Sequence, residues 1–503
     1  MRRVIGRPKE PLLLGIDLGT SRLKVVLADP TGQVIGAAQA GYPTSRSREG
    51  IAEQDTDEWL GALRGTLAHL RRAIGPVALD GIAAIGVTGQ MHGLVAVDSN
   101  GRPVRPCMTW EDARATAELA GVRRRISAER VCLLSGSPLS AGFAAGLARW
   151  LALREPESAR RSQWFLQPKD WIRFMLTGEV ATEPSDASGT LLLDVAASKW
   201  SVELLDAFEV EPRLLPPIIP SASVAGLLRP DVARELGLPP RLPVIAGGGD
   251  APTTALGVGI SASRGGRLGV LSFGTAAQIA VAADRPISHR LCSYQLFRHV
   301  IDGEWLMVAA IPSAGSSIAW LAQVLLPDHD LESGIRQLVA EAGLVLPGAR
   351  GVVFLPQLLG RRSPRPEPAA SGAFVGLRLQ HGRPELARAA LEGVGFALRD
   401  GLTTLRSQGF GPNALAMVGG AGDPDVWPQI LSAILDIQIE RSSDVAGAAL
   451  GAAALAAEGA EIAPAISLIR PVDGAIIERS QADVSAYDAI YKSQWANAVG
   501  AHG

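Results

Sequence analysis

Leu12-Leu-Leu-Gly-Ile16, Asp17-Leu-Gly-Thr-Ser21 and Lys24-Val-Val-Leu-Ala28 form the stretch of sequence that decides the fold. Two short apolar runs on either side of a small turn predict a strand, a tight turn and a second strand. Asp29-Pro-Thr-Gly32 is a further turn signature, and the chain becomes apolar again over 34–38. The start of the chain therefore predicts an antiparallel meander.

The same pattern returns in the second half of the chain. Leu268-Gly-Val-Leu-Ser272 and Ala277-Gln-Ile-Ala-Val281 enclose Phe273-Gly-Thr275, about half the chain length after the first turn. A Gly-Thr turn suits phosphate, because glycine lets the backbone N–H groups approach closely and the hydroxyl adds a donor. Either turn alone is also typical of an ordinary hairpin. Their recurrence favours a duplicated α/β unit with a nucleotide in the cleft between the copies.

Composition and charge limit the classes of protein that fit. A chain of 503 residues predicts two to four domains at roughly 100–200 residues each. Apolar residues make up 47% and charged residues 19%, as in ordinary globular proteins. Lys and Arg number 48 against 50 Asp and Glu, a net charge of −2. A surface devoted to a nucleic-acid backbone would need clustered positive charge, so small molecules are the expected partners.

The cysteines and the apolar runs indicate in which cellular compartment the protein is located. Cys107, Cys132 and Cys292 are too few and too scattered for a disulfide framework or a zinc site, which fits a reducing cytoplasm. The apolar run 12–16 ends too soon for a signal peptide, and 445–457 is too short for a membrane span. We interpret 445–457 as a buried helix that packs closely through small residues. We expect a cytoplasmic protein without a membrane partner.

A carboxylate follows the predicted junction of the two halves. The proline-rich connection 211–220 precedes an apolar run over 242–246 and then Gly247-Gly-Gly-Asp250. Ligands in open α/β folds gather at the carboxyl ends of strands, so Asp250 is placed for chemistry. In phosphoryl transfer the acceptor proton can leave late, so even a weak base serves when it is well positioned. The alternative is that Asp250 caps the next helix.

Asp17 opens the first turn, where a carboxylate beside phosphate requires a cation. Mg²⁺ supplies that cation and needs only one or two carboxylates, since it keeps several of its waters. Lys24 in the next strand could reach phosphate or hold Asp17, or its amine could simply extend into solvent.

Two further segments carry hydrogen-bonding groups that suit a polyhydroxylated ligand. Gln90-Met91-His92 offers an amide, an apolar wall and an imidazole, and Trp110-Glu-Asp112 adds a flat apolar face with two acids. A structural histidine and an ordinary helix start are the alternatives. Near the end of the chain, a strand runs into Gly419-Gly-Ala-Gly422, a loop that could cradle a nucleotide. The arginine-rich stretch 360–371 is expected to be a solvated loop, although its arginines could touch phosphate.

These residues resemble the FGGY family of carbohydrate kinases over about 13–454. Gly372-Ala-Phe-Val-Gly-Leu377, followed by Glu385-Leu-Ala-Arg-Ala-Ala-Leu-Glu392, is similar to the second signature of that family. The two Gly-Thr turns are similar to its two phosphate motifs. Further segments similar to family members are Gln90-Met-His-Gly93, Pro168-Lys-Asp170, Ser185-Asp-Ala-Ser-Gly-Thr190 and Leu193-Asp-Val195.

The resemblance implies an α/β fold of two actin-like (ribonuclease H-like) ATPase domains with an interdomain cleft. We divide the chain into 1–245 on the sugar side and 246–503 on the ATP side. Asp250 is the implied catalytic base, and Asp17 is the second catalytic residue and the magnesium-linked one, through water. The expected sugar-binding residues are Gln90, Met91, His92, Trp110, Asp112 and Asp250. The expected ATP-binding residues are Gly19, Thr20, Ser21, Lys24, Gly274, Thr275, Gly419 and Gly420.

The implied reaction is transfer of the γ-phosphoryl group of ATP, with Mg²⁺, to the terminal hydroxyl of D-xylulose. Family members that act on D-xylulose carry Asn at the positions of Ala251 and Glu111 in this sequence. The sequence also departs from the family pattern at Leu147 and, in the glycine loop, at Ala421. Another pentulose, a polyol or a hexulose is the first alternative. An actin-like or heat-shock-chaperone-like ATPase module is the second. The expected partners are the sugar and ATP, and no nucleic acid is expected. A homodimer is a further alternative.

Overall fold

The computed structural model describes residues 10–47, 49–75, 79–265, 268–287, 291–367, 369–419, 426–442, 447–469 and 475–502. Two seven-stranded sheets and the helices around them make up most of this part of the chain. None of its helices combines the length and the hydropathy needed to cross a bilayer.

The strands, in chain order, are β1 Leu12–Leu18, β2 Arg22–Ala28, β3 Val34–Gly41, β4 Ser45–Arg46, β5 Ala52–Gln54, β6 Ile82–Gly89, β7 Val95–Val97, β8 Cys107–Met108, β9 Trp164–Leu166, β10 Leu193–Asp194, β11 Lys199–Trp200, β12 Val224–Leu227, β13 Pro243–Ile245, β14 Gly248–Gly249, β15 Leu268–Phe273, β16 Ala277–Ala283, β17 Gln295–Arg298, β18 Trp305–Ile311, β19 Val353–Leu355, β20 Ala373–Val375, β21 Ala414–Gly419, β22 Gln438–Arg441 and β23 Ile476–Ile477.

The α-helices are α1 Thr56–Ile74, α2 Leu119–Arg123, α3 Ala128–Ser135, α4 Ala144–Arg154, α5 Pro156–Arg161, α6 Pro168–Thr177, α7 Pro184–Ser188, α8 Val202–Phe208, α9 Pro230–Leu236, α10 Asp250–Gly257, α11 Gly315–Leu325, α12 Leu331–Gly343, α13 Arg383–Ser407, α14 Val426–Leu435, α15 Ala448–Gly459, α16 Ala465–Leu468, α17 Gln481–Ile490 and α18 Ala496–His502. Short 3₁₀ turns lie at 114–116, 212–214 and 349–351, and a π-helical turn lies at 491–495.

The two large sheets share a common core topology, to which the first adds β14 and the second adds the edge strand β17. The first has the order β12-β13-β6-β1-β2-β3, with β14 also paired to β6, and the second has the order β17-β18-β16-β15-β21-β22-β23. In each, three consecutive antiparallel strands (β1 to β3; β15, β16 and β18) lie beside two parallel ones (β6 and β13; β21 and β22). The predicted meander and the duplicated α/β unit are therefore confirmed. The division at residue 245 stays a prediction.

Local sequence explains how the helices cover the sheets. In α1 the Asp55 side chain accepts from the Asp57 N–H at the start of the helix. Trp59, Leu63 and Leu67 recur every four residues, and they are buried in one core with strands of the first sheet. This is the 3.6-residue period of an amphipathic helix.

Helix α15 follows the last long strands of the second sheet but packs on the first sheet. A Cβ atom on Gly15 would overlap the carbonyl oxygen of Ala449, and one on Gly86 would overlap that of Ala452. Its alanines are almost completely buried. The predicted close-packed helix of small residues is thus confirmed. The strand glycines are what allow the helix to lie so near, because no side chain stands between the two backbones.

The structure joins Cys132 and Cys292 in a disulfide bond, although the sequence spacing did not predict one. Cys132 lies in α3 and its partner precedes β17, so the bond links segments 160 residues apart. Cys107 is free and buried.

Candidate active site

The first Gly-Thr turn is held by hydrogen bonds from neighbouring segments. The Gly19 N–H donates to the Arg22 carbonyl oxygen at 3.1 Å. Thr20 receives two side-chain donors, the Trp110 indole N–H on its hydroxyl at 2.9 Å and the Gln54 amide on its carbonyl at 2.6 Å. Ser21 is exposed. The predicted phosphate residues and the predicted sugar residue Trp110 therefore lie together.

Asp17 and Lys24 are cross-strand partners on β1 and β2. Burial raises the pKa of Asp17 to about 6, and the positive charge of Lys24 acts in the opposite direction. Among the described residues, the Asp17 Oδ1 atom is buried and accepts no hydrogen bond. An oxygen with an unused lone pair at this place can receive a water molecule or a metal-bound water.

Asp250 begins α10 directly after β14. Gly249 on β14 pairs with Gly89 on β6, which in turn pairs with Leu18 on β1. The carboxyl ends of these strands therefore bring Asp250 to the same sheet edge as Asp17. Burial raises the pKa of Asp250 to about 7, and the negative charge of Asp17 adds to this. The Asp250 Oδ1 atom accepts from the Ala251 N–H at 2.8 Å. Gly249, not Asp250, is the N-cap residue of α10, so the helix-capping alternative is wrong.

The Gln90-Met91-His92 segment lies next to this carboxylate. A Cβ on Gly249 would come within 2.7 Å of the Met91 Cγ atom, so the glycine leaves room for the buried methionine. The Gln90 amide donates to Gln54 Oε1 at 2.7 Å, whereas its own Oε1 is buried without a hydrogen bond in the described part of the chain. It is a free acceptor for a ligand hydroxyl.

His92 has a left-handed backbone, with φ of 74°, and its Nδ1 atom lies 2.7 Å from the Gly189 carbonyl oxygen. Burial lowers the pKa of His92 to about 4, so the ring is neutral at pH 7. Because a carbonyl oxygen only accepts, Nδ1 carries the hydrogen and Nε2 is left as an acceptor. The ring also contacts Phe143, with 4.1 Å between centroids. A neutral acceptor on an apolar wall suits a sugar hydroxyl.

Asp112 and Glu111 make bonds within the protein. The Asp112 carboxylate is buried and accepts from the Arg114 side chain at 2.7 to 2.9 Å and from the Ala52 N–H at 2.9 Å. Glu111 pairs with Arg46 at 2.6 Å. Asp112 stays a prediction as a sugar-binding residue.

The second Gly-Thr turn is exposed and braced by the start of α11. The Gly274 N–H donates to the Ala276 carbonyl at 2.9 Å, and the Thr275 carbonyl accepts from the Ala314 and Ser316 N–H groups at 3.0 and 3.1 Å. On the neighbouring strand, Gly419 pairs with Phe273 and has φ of 82°. Adjacent strands therefore carry three of the predicted ATP-binding residues at their ends, namely Gly274, Thr275 and Gly419. Gly420 and Ala421 lie outside the described residues.

The arginine-rich loop differs from the expectation at two of its three arginines. Arg365 is exposed, as a solvated loop predicts, but Arg361 and Arg362 are partly buried. Burial lowers the pKa of Arg362, and its positive charge contributes to lowering the pKa of His92. Ser363 anchors the loop by accepting from the Ala310 N–H at 3.3 Å. The sequence could not have singled out Arg362, because the loop offers three arginines in the same composition.

Comparison with known proteins agrees with this geometry. The models for the FGGY family of carbohydrate kinases match at residues 12–257 for its N-terminal domain and 269–460 for its C-terminal domain. Xylulose kinase of Escherichia coli is 35% identical over 93% of this chain and 94% of that protein. Gluconokinase of Bacillus subtilis is 27% identical over 88% and 86%.

Solved structures give the same result. A xyloylose kinase from Brucella ovis has a TM-score of 0.86 at 33% identity, covering 98% of this chain and 99% of that one. A gluconate kinase from Lactobacillus acidophilus has a TM-score of 0.88 at 25% identity, covering 98% of both. The predicted two-domain actin-like fold is confirmed. The chain belongs to the FGGY family of carbohydrate kinases.

Proposed function

We propose that this protein transfers the γ-phosphoryl group of ATP to the terminal hydroxyl of D-xylulose, giving D-xylulose 5-phosphate. The observation that carries the reaction is the pair Asp17 and Asp250, two carboxylates that share one sheet edge with the first Gly-Thr turn. The choice of D-xylulose as the substrate is supported by two relatives named xylulose kinase. They are 35% and 31% identical over 93% and 95% of this chain.

Asp250 acts as the base. With a pKa of about 7, a substantial fraction of this carboxyl is ionised at neutral pH and can accept the proton of the attacking hydroxyl. The transition state of phosphoryl transfer is loose, so the carboxylate mainly positions the hydroxyl in line with the γ-phosphorus. The His92 Nε2 and Gln90 Oε1 atoms accept from other sugar hydroxyls, with Met91 and Trp110 forming apolar walls.

Asp17 would hold Mg²⁺ through water, and its unbonded Oδ1 atom fits that role. When bound, the ion neutralises charge on the β- and γ-phosphates. Within the described ranges, no group of three or more His, Cys, Asp or Glu residues could hold a metal by itself. A single carboxylate completed by phosphates and waters is nevertheless enough for Mg²⁺.

ATP lies along the two turns. Gly19, Thr20 and Ser21 approach the γ-phosphate with Lys24 nearby, Gly274 and Thr275 bind the inner phosphates, and Gly419 and Gly420 line the adenosine. The exposure of the second turn supports this role, because a ligand can reach its backbone and the Thr275 side chain.

The compartment is proposed to be the cytoplasm, where ATP is available. The Cys132–Cys292 bond argues in the other direction, because stable disulfides are rare in a reducing cytosol. Counting the free thiols of protein purified under rapid alkylation tests the compartment. The disulfide leaves Cys107 as the one free thiol, which would contradict the cytoplasm, whereas three free thiols would mean that the bond is reduced in the cell and would support it.

A sugar acid such as gluconate is the second candidate substrate. A gluconate kinase matches the fold with a TM-score of 0.88, and Arg362 is a partly buried cation that influences His92. Within the described chain, no ion pair is formed by its guanidinium. A substrate carboxylate would balance that charge.

A coupled assay of ADP release over a panel of substrates tests the function. The panel contains D-xylulose, other pentuloses, a hexulose, a polyol and gluconate, and D-xylulose is expected to give the highest kcat/KM. A higher value for gluconate would favour the second candidate. ATP turnover that no member of the panel stimulates would instead indicate an ATPase module.

Asp250→Ala tests the mechanism in the same assay. Loss of a positioned general base is expected to lower kcat by about 10²–10⁴-fold. Near-normal turnover of the best substrate by this variant would contradict the role of Asp250.

A further inference from the structure

We propose that Ser185, oriented by Glu183, is a positioning residue for Asp250. The proposal rests on the proposed function, because it assumes that Asp250 is the base. Ser185 is completely buried in α7 and acts through the backbone that carries Asp250.

Ser185 contacts Gly249, the residue that precedes Asp250 in the chain. The Gly249 N–H donates to the Ser185 Oγ atom at 3.0 Å, and Gly249 is the residue that caps α10. The Ser185 hydroxyl has a single hydrogen, and it donates this hydrogen to Glu183 Oε1 at 2.9 Å. The direction of the hydroxyl is therefore set by Glu183, and its lone pairs face Gly249.

Glu183 is itself held firmly. Its carboxylate is completely buried and also accepts from the Ser185 N–H at 2.7 Å, the Asp186 N–H at 2.8 Å and the Ser221 hydroxyl at 2.8 Å. The Lys169 Nζ atom lies 3.5 Å away. With so many donors on one carboxylate, the acceptor for the Ser185 hydroxyl has a single position.

The buried ionic cluster around Glu183 touches the same turn at a second point. This cluster consists of the completely buried residues Lys169, Asp170, Arg173, Glu183 and Asp186. Within it, Arg173 donates to Asp170 at 2.8 Å and to the Ala246 carbonyl oxygen at 3.3 Å. The turn that carries Asp250 is thus held at its start by Arg173 and at its end by Ser185.

The turn needs such support because of its composition. Gly247-Gly-Gly249 has no side chains of its own to fix it, and Gly247 has φ of 84°. Glycine has the largest conformational freedom to lose on folding. An error of about 1 Å in the position of a catalytic group can lower the rate about 10²-fold. A hydrogen bond at Gly249 therefore affects the reaction without any contact with substrate.

Ser185→Ala and Ser221→Ala form a matched pair for the test. Each removes one buried hydroxyl that donates to Glu183, but only Ser185 also accepts from Gly249. We expect Ser185→Ala to lower kcat about 10–100-fold with the KM for ATP within about twofold. We expect Ser221→Ala to lower kcat less than about threefold. Equal losses in the two variants would overturn the proposal.

Hydrogen–deuterium exchange of the 246–250 backbone gives a readout that does not depend on activity. Exchange at Gly249 is expected to rise at least tenfold in Ser185→Ala and to stay near the wild-type value in Ser221→Ala. Unchanged protection in a folded Ser185→Ala protein overturns the proposal. Full activity of Asp250→Ala, together with faster amide exchange at Gly249 in Ser185→Ala, would contradict the proposed role of Asp250 as the base. It would still support the hydrogen bond between Ser185 and Gly249.

Discussion

The two Gly-Thr turns occupy the same place in two sheets with the same core topology, but the strand residues that face each other at the two turns differ in charge. Asp17 on β1 faces Lys24 on β2 and Thr88 on β6. The matching residue on β15 is Ser272, which faces Gln278 and Val418. The duplicated backbone supplies two Gly-Thr turns, whereas among the described strand residues that face each other at these turns, ionisable side chains occur only at the first.

The difference shows how one backbone pattern can serve two tasks. A turn that only binds phosphate needs a backbone that the ligand can reach, and the exposed Gly274-Thr275 turn offers this without a charged side chain of its own. A turn at which phosphate is transferred needs a cation and a base as well. Asp17 and Asp250, both with raised pKa, lie at the first turn.

The largest expected effect is on kcat, and it comes from replacing Asp17 at the first turn by its neutral counterpart Asn. Asp17→Asn is expected to lower kcat by about 10²-fold or more, because the proposed magnesium ion would lose its anchor. The control is Ser272→Ala at the matching position, which removes no charge and is expected to cost less than about threefold. Steady-state kinetics at saturating sugar and ATP measures both. A similar loss in the two variants would remove the distinction between the turns.

The helices packed on the two sheets extend the comparison. Gly15 and Gly86 pair on the first sheet, and Val270 and Ala416 pair at the matching positions of the second. The backbone of α15 contacts the glycines directly, whereas Ala255 of α10 shares a core with Val270 and Ala416.

Gly86→Ala is therefore expected to destabilise the protein more than Ala416→Gly. The new methyl group would overlap the backbone of Ala452, and overpacking of this kind costs about 1–3 kcal/mol or more. The reverse change in the second sheet costs about 1 kcal/mol through lost packing and added chain freedom. Urea unfolding followed by fluorescence gives both values. A Gly86→Ala protein as stable as wild type would show that α15 can move away at no cost.

The smallest expected effect is a pH dependence of stability that arises at the first turn. The folded pKa of Asp250 is about 7, above its ordinary value of 3.8. The folded protein keeps this proton while the unfolded chain has lost it, so the stabilising contribution falls as the pH rises from about 4 to about 7. Asp250→Asn cannot ionise and is expected to be about 1–3 kcal/mol more stable than wild type at pH 8.

Thermal unfolding at pH 5 and pH 8, in EDTA and without nucleotide, measures this difference. The advantage of Asp250→Asn should shrink towards pH 5, where wild-type Asp250 is mostly protonated. An advantage of equal size at both pH values would mean that Asp250 does not titrate in this range.

Local patterns account for the parts of the fold and site that the sequence predicted. The apolar runs around Asp17-Leu-Gly-Thr-Ser21 identify the meander, because alternation of strand and turn is a short-range property. The three glycines before Asp250 mark a strand end in the same way. The small residues of α15 likewise predicted a buried helix.

Contacts between distant segments could not be predicted in this way. Gly249 meets Ser185 across 64 residues, and the Cys132–Cys292 bond spans 160. Arg362 and Arg365 have the same chemistry in one loop, yet only Arg362 is partly buried. No local periodicity carries information about which of two identical side chains faces the interior.

The sequence by itself determined the duplicated α/β pattern, the two Gly-Thr turns and the identity of the ionisable residues, because each depends on neighbours along the chain. Only the tertiary structure decided that Asp17 and Asp250 share one sheet edge and that Ser185 accepts from the N–H of Gly249, the residue before Asp250. The physical reason is that pKa and position depend on burial and on charges brought close by folding. A free aspartate titrates near 4, whereas the folded chain raises Asp250 to a pKa of about 7, where it can serve as a base.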